Sequence, residues 1–144
     1  MIPYMVVDAS VALKWALDDE ECVIQAAALR DAWLRQNRYL LVAPSLFYYE
    51  VINGLRTAVL QARLTREIGS TLLKLLFDLG VRMVDPEAQH IYDLACAWSI
   101  AAYDAAYLAL AEALDCPLWT GDRRFYRLMR GREPRVRWIG DFPA

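Results

Sequence analysis

Met5-Val6-Val7-Asp8-Ala9-Ser10-Val11-Ala12 (residues 5–12) sets a carboxylate at the end of a short apolar run of strand type. After Asp8 the pattern turns helical. Ser10 is placed to cap a helix beginning with Val11, and Ala12, Trp15 and Ala16 give that helix an apolar side. The arrangement returns late in the chain, where Cys116-Pro117-Leu118-Trp119-Thr120 leads into Asp122 and a short helix over 122–129. Between these ends, Tyr39–Ala43 and Val81–Val84 read as further strands, and Val136–Ile139 as a fifth. Helical spacing covers about 21–35, 45–61, 66–79, 87–98 and 103–114. Ser45 and Thr65 are candidate caps, Asp85-Pro86-Glu87 a helix start and Gly80 a stop. Short strands separated by helices imply an α/β fold, with a central, mainly parallel sheet of about five short strands flanked by helices. Ligands of such sheets collect beyond the carboxyl ends of the strands. Asp8 and Asp122 both stand there.

Two more acids lie in apolar surroundings. Glu50 follows Phe47-Tyr48-Tyr49 and shares a helix face with Asn53, Gly54 and Thr57. Asp104 lies on the face of Leu108 and Ala111. Each has an ordinary structural role open to it: Asp8 and Asp122 as caps, Glu50 as half of a surface ion pair, Asp104 as an acid at a helix N-terminus. Their joint placement argues for more. Buried unpaired carboxylates are costly or take up protons. One acidic pocket neutralised by a divalent cation resolves that cost, and hard oxygen donors suit Mg²⁺ or Mn²⁺.

Composition narrows the alternatives. The 144 residues, 58% of them apolar, fit a single domain spanning 1–144. Cys22, Cys96 and Cys116 are scattered and His90 is the lone histidine, which argues against a thiolate or imidazole zinc site. No signal-peptide pattern opens the chain, and the apolar stretch 95–111 carries Asp104 near its middle. The expectation is a cytoplasmic protein without membrane attachment. Net charge is −2, yet residues 123–137 hold seven arginines against Glu133 alone. That segment therefore carries +6 and the rest of the chain −8. Arginine suits bidentate phosphate contacts, so Arg123, Arg124 and Arg127, next to Asp122, are candidate phosphate-binding residues.

The acids sit in recognisable surroundings. Residues 6–15, Val-Val-Asp-Ala-Ser-Val-Ala-Leu-Lys-Trp, resemble the opening of a PIN domain of the VapC toxin type. Pro44-Ser45-Leu46 followed by Tyr49-Glu50-Val51-Ile52-Asn53-Gly54-Leu55 is similar to the family's second motif. Tyr103-Asp104-Ala105-Ala106-Tyr107-Leu108-Ala109-Leu110-Ala111 resembles the third, and Pro117-Leu118-Trp119-Thr120-Gly121-Asp122 the fourth. Ala101 departs from the pattern, standing where the family often has a capping Ser or Thr. The resemblance implies a PIN-like fold and a Mg²⁺- or Mn²⁺-dependent endoribonuclease. Asp8, Glu50, Asp104 and Asp122 would be its catalytic and metal-site residues, with Ser10, Asn53 and Thr120 as supporting groups. It also implies an RNA substrate, products with a 5′-phosphate and a 3′-hydroxyl, a VapB-like antitoxin partner and a homodimer.

Two other functions were open to such a chain. A non-catalytic RNA-binding or scaffolding module of the same fold is favoured by an incomplete acidic set, and here none of the four is missing. A phosphoryl-accepting protein using Asp8 would want a second Asp two residues on, where Ser10 stands, or a Lys at a late strand end, where neither Lys14 nor Lys74 falls.

Overall fold

Five apolar runs become five strands, all parallel. The computed structural model describes residues 1–144. Its strands are β1 (Tyr4–Val7), β2 (Leu40–Ala43), β3 (Arg82–Met83), β4 (Leu118–Thr120) and β5 (Val136–Trp138). The helices are α1 (Ala9–Leu13), α2 (Val23–Leu34), α3 (Leu46–Leu60), α4 (Arg66–Asp78), α5 (Ala88–Trp98), α6 (Ala102–Leu114) and α7 (Arg123–Met129). A 3₁₀ turn at Ile139–Asp141 follows β5.

The strand order is β3-β2-β1-β4-β5. β1 is central, pairing Tyr4–Leu40 through Val6–Val42 on one side and Val6–Leu118 and Val7–Trp119 on the other. The chain winds outward from β1 in one direction and from β4 in the other. The gap between the carboxyl ends of β1 and β4 is thus the switch point where such folds bind ligands. Asp8 and Asp122 flank it.

β1 and β4 are buried over Met5–Val7 and Leu118–Thr120, as their unbroken apolar runs require. α6 packs on β1, β4 and α5, and is buried without a break from Ala105 to Ala111. Its alanines let the helix approach the sheet, and they explain why its apolar character runs all round. No single helix is long and apolar enough to cross a membrane.

Three local expectations need correction. Ser10 does not cap: α1 begins at Ala9, and Asp8 caps it by accepting from the Val11 N–H at 3.3 Å. The Ser45 side chain does not cap α3 either. Its N–H and hydroxyl both go to Asp85, at 2.7 Å and 2.8–2.9 Å, so the expected helix-starting Asp instead ties the end of β3 to the start of α3. The third strand shrinks to Arg82–Met83, both exposed. It is an edge strand, turned into by Gly80, and one further bond to β2, from the Val84 N–H to Ala43 O at 2.9 Å, extends it before Asp85.

Candidate metal centre

Asp8 lies at the hub of a hydroxyl network. Its Oδ1 accepts from Ser10 Oγ and the Val11 N–H, and its Oδ2 accepts from Thr120 Oγ1. Each hydroxyl in turn accepts from a backbone N–H of the β4–α7 turn. Gly121 N–H donates to Ser10 Oγ at 2.7 Å and Asp122 N–H to Thr120 Oγ1 at 3.0 Å. The network thus fixes Asp8 relative to Asp122 across the switch point. Burial pushes the Asp8 carboxyl up to about 6; the Ser10, Thr120 and Val11 hydrogen bonds pull against it, and the Asp122 charge adds slightly to the rise.

Glu50 arrives from α3. Gly54, one turn on, meets α1 closely: a Cβ there would stand 2.3 Å from Leu13 Cδ1. This glycine brings α3 against α1, and with it Glu50 toward Asp8. The Tyr107 hydroxyl donates to Glu50 Oε1 at 2.6 Å. Burial raises the Glu50 carboxyl, Tyr107 opposes, and Asp8, Asp104 and Asp122 raise it further. Burial first, then the Glu50 charge, lifts the Tyr107 phenol far above the ordinary tyrosine range, so it stays a donor.

Asp104, in the first turn of α6, makes no hydrogen bond through its side chain. Its partner is Arg124 at 3.7 Å. Burial raises its carboxyl, Asp122 adds to the rise, and Arg124 lowers it. Asp122 caps α7, accepting from the Phe125 N–H at 3.2 Å. The capping role that the sequence left open is therefore real for both Asp8 and Asp122, and both still share the acidic field.

The structure thus gathers Asp8, Glu50, Asp104 and Asp122 closely enough for their charges to act on one another. The donors are all hard oxygens, with no imidazole or thiolate among them. His90 is engaged elsewhere, with Glu112 at 3.1 Å. This chemistry fits Mg²⁺ or Mn²⁺. No three of the acids form a ready-made cage, so water would complete the coordination of any such ion.

Of the supporting residues, Ser10 and Thr120 hold Asp8, while Asn53 is exposed and makes no hydrogen bond. The arginines divide. Arg123 forms a two-pronged bond to Glu21 at 2.9 Å and lies over the Trp138 ring. Arg124 faces Asp104, and Arg127 lines an open cavity of about 300 Å³ with Tyr126, Arg130 and Trp138. Two residues escaped the sequence reading. Tyr107 looked like one more apolar position, although its spacing from Asp104 puts it on the same face. Lys14, a turn after Ser10, is buried.

The family model described as "PIN domain" matches residues 5–130. The chain belongs to the PIN domain family. Among similar proteins are three from Mycobacterium tuberculosis. Ribonuclease VapC1 is 34% identical over 73% of this chain and 88% of its own length. Ribonuclease VapC9 is 34% identical over 83% of this chain and 87% of its own. Ribonuclease VapC12 is 33% identical over 83% and 88%. PAE2754 from Pyrobaculum aerophilum, known from a crystal structure, shares the fold with a TM-score of 0.70 and 23% identity. The match covers 96% of this chain and 92% of that one.

Proposed function

We propose that this PIN-domain chain, read as one domain over 1–144, is an endoribonuclease that serves as the toxin of a toxin–antitoxin pair. The observation that carries this reading is the set of four carboxylates at the β1/β4 switch point, three of them pushed up by burial and by one another. A pocket that raises its own acids is one that a cation stabilises.

The four acids would hold Mg²⁺ or Mn²⁺, which when bound supplies charge neutralisation at the phosphate and a more acidic water. The protein's own part is distinct. Ser10 and Thr120 keep Asp8 oriented, and Tyr107 does the same for Glu50. Asp104, without hydrogen bonds and half-buried, is the acid freest to accept a proton from an attacking water. Arg124 beside it is set to meet a phosphate.

The names of the VapC relatives support RNA as substrate. An antitoxin, expected to be VapB-like, would cover the apolar groove of about 350 Å³ between α2 and α4, lined by Trp15, Leu34, Leu72, Leu75 and Leu79. Tyr48, stacked on Phe77 at 4.7 Å, is exposed on α3 and would extend that surface. The partner would insert a basic side chain toward Asp8 or Asp104. A homodimer and a cytoplasmic location complete the reading.

The test is cleavage of a structured RNA by antitoxin-free protein. Mg²⁺ or Mn²⁺ should support it, EDTA should stop it, and Asp8→Asn should remove it. Full activity in EDTA would defeat the metal reading. RNA binding without cleavage under every metal would favour the non-catalytic module.

A further inference from the structure

Lys14 is 3% exposed, a rare degree of burial for a lysine. Buried cations are normally paired, because leaving water is costly. Lys14 is not paired: no carboxylate comes within 4 Å of its ammonium, and no group accepts a hydrogen bond from it. Nor is the ammonium sealed. Trp119 Nε1 is the one enclosed polar side-chain atom without a partner, so the equally partnerless Lys14 Nζ keeps part of the residue's small remaining exposure. Three N–H donors therefore stand unused at an opening.

That opening lies beside the acid pocket. Lys14 is one turn after Ser10, which bonds both Asp8 and the Gly121 N–H. A Cβ at Gly121 would stand 2.5 Å from Lys14 Cε, 3.3 Å from Nζ and 3.2 Å from Ser10 Oγ. The ammonium therefore rests against the β4–α7 turn between Thr120 and Asp122, and any side chain at 121 would push the lysine tip aside. On its outer side the Lys14 field reaches Glu21, which Arg123 already holds with two hydrogen bonds. Glu21 is thus spoken for, and the Lys14 donors remain free.

We propose that Lys14 is an RNA-positioning residue whose ammonium takes a backbone phosphate oxygen at the Gly121 lip of the acid pocket. The proposal rests on the ribonuclease reading. A strand entering the pocket meets strong negative potential from four acids. A cation fixed at the rim by burial, with no acid of its own to neutralise, offsets that repulsion at one phosphate. Unlike the exposed Arg124, it has its side-chain entropy already spent.

The experiment compares wild type with Lys14→Met, of similar length and apolar. A fluorescein-labelled single-stranded RNA is titrated in calcium, with anisotropy read across a range of salt concentrations, and the melting temperature of each protein is recorded. The variant should bind roughly tenfold more weakly, as for a lost charge-assisted hydrogen bond. Its salt slope should fall by about one. Its melting temperature should equal or exceed that of wild type, since an unpartnered buried charge is gone. An unchanged salt slope overturns the proposal, and a lowered melting temperature with it would make Lys14 a prop for the Gly121 turn. If Lys14→Met does not fold, Lys14→Gln carries the same comparison. Failure of the wild type to bind RNA overturns the ribonuclease reading together with this one, which separates the two failures.

Discussion

Asp8 and Asp104 are the same residue type in the same pocket, and they are held in opposite ways. Asp8 is firmly held: two hydroxyls and a backbone N–H point at its oxygens, and it also starts α1. Asp104 has only Arg124, at 3.7 Å. Both carboxyls are raised, and burial is the leading cause in each case. An acid at the Asp8 corner is part of the fold's construction. An acid at the Asp104 wall holds nothing in place, and its charge, like that of Asp8, burdens the metal-free fold. The contrast separates two questions that catalysis alone merges, because removing either acid should silence the enzyme.

The largest effect expected is on that shared property. Asp104→Asn should lower RNA cleavage by about a hundredfold or more, as for loss of a proton acceptor. Single-turnover rates measure it, and near-normal rates would leave Asp104 outside the chemistry.

The next effect is on pH. The folded protein holds the Asp8 proton more tightly than the unfolded chain, at about 6 against an ordinary 3.8. The stabilisation is therefore full below the unfolded value and is lost as pH rises through the folded one. This amounts to roughly 2 kcal/mol between pH 4 and 7. Glu50 and Asp104 are raised too and act in the same sense. Denaturant titrations in EDTA across that range should show stability falling with pH, and a rise would reverse the assignment.

A smaller change tests the Asp8 corner alone. Thr120→Val keeps the shape and removes one donor from Asp8 and one acceptor from the Asp122 N–H. It should cost about 1.5–3 kcal/mol at pH 8, where Asp8 is ionised, and less at pH 5. Equal loss at both pH values would mean that the hydroxyl supports packing and not the charge.

The smallest effect separates the two acids most directly. Metal-free Asp104→Asn should melt a few degrees above wild type, a gain of about 1 kcal/mol, because like charges are relieved and no hydrogen bond is lost. Its further gain on adding Mg²⁺ should be smaller than that of wild type. A lower melting temperature would move Asp104 into the structural class beside Asp8.

Much of this contrast was legible in the chain. Acids that end apolar runs, as at Asp8 and Asp122, mark carboxyl ends of buried parallel strands, and the alternation of short strands with helices marks the sheet. The four motifs then located Glu50 and Asp104. What escaped were contacts between distant residues. Tyr107 binding Glu50 and Ser45 binding Asp85 depend on helix placement that local pattern does not encode. Lys14 was unreadable for the same reason, since a lysine among apolar residues ordinarily reaches water. The short β3 reflects its position at the sheet's edge, which periodicity does not reveal.

The two hydroxyls around Asp8 have a further consequence. Each accepts from a backbone N–H of the β4–α7 turn, and that leaves its own hydrogen committed to Asp8. The wiring has a polarity: protons point inward from both sides, and neither hydroxyl can turn around without abandoning a main-chain donor. A proton added to Asp8 falls to the one lone pair of Oδ2 that this circuit leaves free, and it weakens both hydroxyl links by removing the charge that strengthens them. Titration of this carboxyl is therefore also a mechanical event, felt at Gly121 and Asp122. Acidification would loosen the lip of the pocket at the same moment that it discharged its floor.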